Sequence, residues 1–399
     1  MFFALKGDNF NGNSYAQKAI ELGAQYAVID EAAYSIPGKT ILVNNVLETL
    51  QQLSAFHRVF LNIPIIALTG SNGKTTTKEL INSVLSKKYK TKATIGNLNN
   101  HIGVPLTLLS MNQNTEIGIV EMGANHLKEI EFLCQLAQPD YGYITNFGKA
   151  HLEGFGSTQG VISGKSEMYA YLAKHNKTIF INANDAIQVE KTKHASIFSF
   201  GNKNTLANVN IDFIKAQPFV RCLYNNLEIK SQLIGQYNFN NIAAAINIGH
   251  YFKVPDLDIK QAIENYTPSN NRSQIIQKDS NKIILDAYNA NPSSMTAALE
   301  NFEKQRGNKI AILGDMFELG KDTEQEHRNI ANLAVSLNIE QVILIGENFY
   351  RIKVKSSKAI QYKSFDDFIK QANVSTFKNT IMLIKGSRGM ALERVLDLL

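Results

Sequence analysis

From Thr69 to Thr76 the chain reads Thr-Gly-Ser-Asn-Gly-Lys-Thr-Thr, an order of residue types that can hold a triphosphate. Glycines at 70 and 73 let the backbone turn tightly, so that successive N–H groups converge on phosphate oxygens. A helix starting at the lysine adds the partial positive charge of its first turn. Lys74 is placed to reach the β- and γ-phosphates, and the Thr75 hydroxyl to hold Mg²⁺. The usual GxxxxGK[ST] spacing is not met, because Leu68 stands where its first glycine would be. Thr69, Gly70, Ser71, Asn72, Gly73, Lys74, Thr75 and Thr76 are nonetheless the expected contacts of ATP or GTP. No NKxD-type guanine-reading element accompanies the loop. Ile117-Gly118-Ile119-Val120-Glu121 supplies a strand ending in an acid, and Glu121 there suits Mg²⁺.

The elements that must position this loop are readable on both sides of it. Ile65-Ile66-Ala67-Leu68 is the apolar run of a fully buried parallel strand, and the helix after the loop runs on through Val84. Strands are expected at 117–120, 141–145 and 178–181. Short β-like runs alternate with polar turns over 197–234, and a helix spans 241–248. Asn238 and Asn241 lie one helical turn apart, so one face could present both amides to a base. Lys165 reads as lying near the start of a helix through Met168 and Leu172. Upstream, residues 1–62 give a strand at 2–5, a glycine-bearing loop, a helix at 16–22, strands at 26–29 and 40–43, and a helix at 47–60. Downstream of Arg272, strands at 282–285, 309–313, 341–345 and 380–384 alternate with helices at 294–302, 324–337, 365–372 and 390–398. That alternation predicts a doubly wound sheet, with ligands at the carboxyl ends of its strands, where Asp286, Asp315, Gly346 and Lys385 fall. The fold class is therefore α/β in three domains, 1–62, 63–270 and 271–399, with residues 268–271 as a linker into the last.

Composition excludes several classes. Of 399 residues, 41 are Lys or Arg and 35 Asp or Glu, a net charge of +6 without the basic blocks of a nucleic-acid binder. Cys134 and Cys222 are the two cysteines, too few for a disulfide scaffold or a thiolate zinc site. No apolar run approaches the roughly 18 residues of a membrane span, and the opening residues lack the pattern of a secretory signal. A monomeric protein of the reducing cytoplasm is expected. His57, His175, His194 and His250 have no motif around them and are expected to be structural.

Beyond the loop, the stretches GNLNNHIGVP (96–105), EMGA (121–124), NFGKAHLE (146–153), DAYNANP (286–292), GDMFELG (314–320) and KGSR (385–388) resemble the Mur ligase family, in order and over essentially the whole chain. DAYNANP and GDMxELG resemble the member that joins D-alanyl-D-alanine to UDP-N-acetylmuramoyl-tripeptide. The resemblance implies a small N-terminal UDP-sugar-binding α/β domain, a central P-loop ATPase domain with a mostly parallel sheet, and a C-terminal Rossmann-like domain. It implies a reaction in which the tripeptide carboxylate takes the γ-phosphate of ATP and the dipeptide amine then displaces phosphate. Its alternatives are another Mur-like or folylpolyglutamate-type amino-acid ligase, or a non-catalytic nucleotide-binding relative.

The same resemblance assigns residues. Lys74, Lys165, Glu121 and His151 form the catalytic set, and Thr75, Glu121, His151 and Lys165, the last as its carbamate, hold two Mg²⁺ ions. Asn238 and Asn241 fall on the adenine side, within Gly235-Gln236-Tyr237-Asn238-Phe239-Asn240-Asn241, where Tyr237 stands in place of the family's histidine. Arg272 reaches the nucleotide phosphates or ribose, and Asp286 the ribose hydroxyls. Lys385 and Arg388 face the phosphates or the peptide carboxylate. Asn97, Asn99 and Asn100 line the muramoyl-peptide channel, and Lys6 and Gly7 touch the uridine diphosphate. Family members also carry a segment ahead of FFALKG with a Ser-Arg pair that helps hold the uracil, so an upstream segment is expected to be missing here.

Overall fold

The computed structural model describes residues 1–268 and 271–399, so the expected linker falls partly on Ser269 and Asn270, outside the described residues. A three-stranded parallel sheet comes first, in the order Phe2–Phe3, Ala27–Ile29, Thr40–Leu42. Its small core gathers Ala4, Ala16, Val28, Ile29 and Val46. Helix Val46–Leu61 then leaves this sheet for the next domain. Asn45 caps its start by accepting from Glu48 N, and Asn62, at φ 48°, ends it in the left-handed region. Arg58 ties it down by donating to Ala137 O, Gln138 O and Asp140 Oδ2, while His57 Nε2 meets Met111 O.

The central sheet has nine strands. From edge to edge they are Leu227–Lys230, Arg221–Tyr224, Val209–Lys215, Ile197–Gly201, Thr178–Asn182, Tyr141–Ile144, Ile65–Thr69, Ile117–Glu121 and Thr91–Ala93. The pairings are parallel except in the hairpins over 209–230. Every residue of Ile65–Thr69 is buried, as its unbroken apolar run demands. In register it sets Leu68 beside Glu121, so the acid emerges at the carboxyl end of the sheet, next to the loop. Helix Lys74–Leu85 continues from the loop and packs on helix Asn238–Tyr251, with Gly249 letting Val84 close in.

The C-terminal sheet runs Gln274–Lys278, Asn281–Asp286, Thr380–Lys385, Asn308–Gly314, Gln341–Ile345, Ala359–Tyr362. It is parallel apart from its first strand. Asp286 and Lys385 are register partners at its carboxyl edge.

Three readings of the chain change here. Residues 390–398 form 3₁₀ turns, Arg388–Met390 and Leu392–Leu398, rather than an α-helix. Ala391 at φ 47° interrupts the run, and the buried Leu392 and Val395 repeat every third residue, which suits three residues per turn. The helix expected at 241–248 begins at Asn238. Lys165 lies in the middle of helix Thr158–Lys174, because the capping residue is Ser157, whose hydroxyl accepts from Gly160 N. Among the described residues, no helix is long and apolar enough to cross a membrane.

Candidate active site

The loop after Ile65–Thr69 is braced from below and beside. Gly70 sits at φ 140°, and a Cβ there would come within 2.0 Å of Thr145 Oγ1, so both conformation and space require glycine. Ser71 N donates to Asn146 O and Ser71 Oγ to Gly148 O, while Thr145 Oγ1 and Asn146 Nδ2 both donate to Asn72 O. Lys74 curls over the loop, its Nζ donating to Gly70 O at 2.7 Å. It is half-buried, and burial holds its ammonium below the ordinary lysine value; Arg272 pushes the same way and Glu121 opposes.

A cavity of about 950 Å³ opens above this loop, between the central and C-terminal domains. Of the expected residues, the central domain contributes to its wall Ser71, Asn72, Gly73, Lys74, Thr75, Thr76, Asn97, Asn99, Asn100, Glu121, His151, Asn238 and Asn241. Arg272, Asp286 and Lys385 line it from the other side. Thr69 and Gly70 lie beneath the loop and are not on the wall.

Glu121 is the most telling group. It is 1% exposed; its Oε1 accepts from Asn99 Nδ2 at 2.8 Å and from Thr75 Oγ1 at 3.3 Å, while its buried Oε2 has no hydrogen-bond partner. A carboxylate oxygen with no hydrogen bond, its nearest cation the Lys78 ammonium at 3.9 Å, beside a hydroxyl is a donor set that a hard cation fits. No group of three or more His, Cys, Asp or Glu that could hold a metal occurs among the described residues.

Lys165 is fully buried, with Nζ donating to Ala124 O at 3.0 Å and lying 5.2 Å from the Phe155 ring centroid. Burial pushes its amine well below the ordinary lysine value of 10.5, and Lys74 adds to the effect. It is not itself on the cavity wall, although Ala124 is. His151 pairs through Nδ1 with Glu318 of the C-terminal domain.

Some expected residues are engaged with protein groups or lie away from the cavity. The amides of Asn238 and Asn241 are engaged with protein: Asn241 Nδ2 donates to Asn238 Oδ1, Asn238 Nδ2 to Ile234 O, and Thr77 Oγ1 to Asn241 Oδ1. Because a Cβ on Gly73 would meet Asn241 Oδ1 at 2.6 Å, the pair buttresses the loop from behind. Arg388 turns away to Glu393, its side chain 60% exposed. Lys6 pairs with Asp30 and Glu31, and Gly7 sits in an exposed two-stranded turn with Phe10; neither reaches the cavity. Asp315 accepts from the backbone of Asn348 and Phe349, capping the helix there.

The structure adds residues that had no assigned role. The Arg272 guanidinium stacks on Tyr288, 3.6 Å from its centroid, with Nε buried and unpaired. Asn291 Nδ2 donates to Asn72 Oδ1 across the domains, and Tyr237 OH bonds Ser273 Oγ. Lys78, buried one turn beyond Lys74, lies 3.9 Å from Glu121. Tyr288 and Asn291 are inside the quoted DAYNANP stretch, which was the available signal. Nothing local marks Lys78.

Comparison with known proteins adds independent findings. Residues 68–249 match the family model for the Mur ligase middle domain, and residues 271–388 that for the Mur ligase, glutamate ligase domain. The UDP-N-acetylmuramoyl-tripeptide–D-alanyl-D-alanine ligase of Bacillus subtilis (strain 168) is 34% identical, over 99% of this chain and 89% of that protein. Its namesake in Escherichia coli (strain K12) is 29% identical over similar shares, 99% and 89%. A crystal structure of MurF from Acinetobacter baumannii superposes with a TM-score of 0.87 at 30% identity, covering 99% of this chain and 89% of that one. MurF ligase from Thermotoga maritima, solved in complex with ADP, gives 0.84 at 26% identity, covering 99% and 92%.

Proposed function

From the premise that the chain belongs to the Mur ligase family, we propose that it is the ATP-dependent ligase joining D-alanyl-D-alanine to UDP-N-acetylmuramoyl-tripeptide. The step belongs to the cytoplasmic assembly of peptidoglycan precursors. One observation carries the reading. A braced phosphate loop, an orphaned acid at the neighbouring strand end and cationic residues of a second domain converge on a single cavity.

The chemistry needs positioning more than a protein nucleophile. The terminal carboxylate of the tripeptide attacks the γ-phosphorus: an O–P bond forms, the β,γ-bridging P–O bond breaks, and ADP leaves. The dipeptide amine then adds to the acyl carbon, its C–O bond to phosphate breaks, and the amine proton is released as inorganic phosphate departs. Lys74 exchanges its carbonyl partner Gly70 O for phosphate oxygens and follows the charge as it moves. Arg272 meets the same charge from the C-terminal side, beside Lys385, whose ammonium is held by Asp286, so substrates are enclosed only when both domains face the cavity. Asn97, Asn99 and Asn100 orient the muramoyl peptide.

Thr75 and Glu121 would hold one Mg²⁺, and a second would lie toward His151 and Lys165. When bound, such ions neutralise charge on the transferred phosphoryl group. A carbamate at Lys165 is supported by its burial, which shifts the amine toward the uncharged form that adds CO₂, and by its contact with Ala124 on the wall. Arg272, Asp286 and Tyr288 form the nucleotide side, with Asn238 and Asn241 supporting the loop. Three units, 1–62, 63–270 and 271–399, divide the work between UDP-sugar, ATP and closure.

The direct test is a substrate panel. ADP and phosphate release should require UDP-N-acetylmuramoyl-tripeptide and D-Ala-D-Ala together, with a product heavier by one dipeptide residue pair. ATP turnover satisfied by glutamate and a folate, or by neither substrate, would contradict the proposal.

A further inference from the structure

His151 stands on the cavity wall, but its orientation is set from the other domain. The central-domain segment 148–154 is gripped at several points by the C-terminal domain. Lys149 N donates to Ser293 Oγ at 2.9 Å, and Lys149 Nζ to Glu326 Oε1 at 2.7 Å. Glu153 N donates to Glu318 O at 3.2 Å, and a Cβ on Gly320 would lie 3.4 Å from Glu153. Between these contacts the Glu318 carboxylate meets His151 Nδ1.

Both partners hold an unusual backbone. His151 has φ 52° and Glu318 φ 61°, each in the left-handed region although neither is glycine. L-residues with a full side chain disfavour that region, and they persist in it where surrounding contacts fix them. Here it aims the imidazole and the carboxylate at each other across the seam. Glu318 itself is not on the cavity wall.

We infer that Glu318 is a positioning residue for His151, supplied by the C-terminal domain when it docks. A carboxylate only accepts, so in this contact His151 Nδ1 is the donor, and Nε2 is the ring nitrogen left for a cation. A second partner that fixes the tautomer in this way is how a histidine is prepared as a metal ligand. In this chain the second partner is on a different domain from the ligand. Opening the seam removes the carboxylate and frees the ring to exchange tautomers. Domain docking and a cation near His151 therefore favour each other, and by linkage the effect is reciprocal. The inference rests on the reading of His151 as a metal-side residue, and on no other part of the proposed reaction.

The test uses the full chain with ¹⁵N-histidine and the variants Glu318→Ala and Glu318→Gln. The wild type should show the Nδ1–H tautomer for His151. In Glu318→Ala the resonance should shift to a tautomer mixture, and Mn²⁺ affinity in the presence of a non-hydrolysable ATP analogue should fall about tenfold or more. Glu318→Gln keeps the size and an acceptor oxygen, so it should retain Nδ1–H and lose less Mn²⁺ affinity than the alanine variant. Wild-type tautomer and Mn²⁺ affinity in Glu318→Ala would overturn the inference, as would a glutamine variant as impaired as alanine. Neither readout needs turnover. A wild-type chain that fails to ligate would strike the ligase reading and leave these two measurements to decide Glu318.

Discussion

Replacing Lys165 by methionine should move activity and stability in opposite directions. The side chain lies wholly inside the protein, against the Phe155 ring and the Ala124 carbonyl. Its folded-state pKa is held well below 10.5 by burial, so the unfolded chain binds the proton more readily than the folded one. Below the folded value the resulting deficit in stability is constant. It shrinks as pH rises from that value toward 10.5, by about 1.4 kcal/mol per pH unit. Methionine has similar length and no charge, so the variant should be the more stable at neutral pH in CO₂-depleted buffer. The hydrogen bond lost at Ala124 O offsets about 1 kcal/mol of the gain. The advantage should narrow as the buffer is taken toward pH 10. Turnover should fall by a factor on the order of 100 or more, the usual effect of deleting one preorganised electrostatic contact to a transition state. Denaturant melts at pH 7, 8.5 and 10 measure the first effect and phosphate release the second. Added bicarbonate should raise wild-type turnover and leave the variant unmoved. A methionine variant with full activity, or one destabilised by the same amount at every pH, would refute the reasoning.

Further substitutions probe other contacts. Lys74→Ala should leave the melting transition nearly in place and lower ATP-dependent phosphate release by at least about 100-fold, measured on the folded variant. Gly70→Ala would force a Cβ to within 2.0 Å of Thr145 Oγ1 at φ 140°, so binding of an ATP analogue, followed by calorimetry, should be lost. Arg58→Met removes three hydrogen bonds from a guanidinium joining helix Val46–Leu61 to the central domain. It should cost about 2–3 kcal/mol in a urea titration, with Asp140 still paired to Lys177.

What the chain order made legible was whatever chemistry is local. The apolar run into Gly70–Thr76, the acid ending Ile117–Glu121 and the strand–helix alternation after Arg272 each depend on near neighbours, and the corresponding elements, apart from the helix expected at 390–398, are where periodicity puts them. Three edge strands, Thr91–Ala93, Gln274–Lys278 and Ala359–Tyr362, escaped because edge strands carry no continuous apolar signal. Asn238 and Asn241 were readable as a helical pair, but not that their amides would bond each other, Thr77 and the Ile234 carbonyl. Arg388 and Lys6 were read as ligand contacts; their pairing with the nearby acids Glu393, Asp30 and Glu31 had no signal of its own. Glu318 and His151 are 167 positions apart, and no spacing in a sequence announces that they meet.

The proposed reaction turns on an acyl phosphate formed on the tripeptide by ATP in this cavity. Tripeptide labelled with ¹⁸O in its terminal carboxylate tests it most directly, by mass analysis of the inorganic phosphate released during ligation to D-Ala-D-Ala. One labelled oxygen should appear in each phosphate, with the other retained in the new amide carbonyl. Phosphate free of label, formed while ligated product accumulates, would contradict the mechanism.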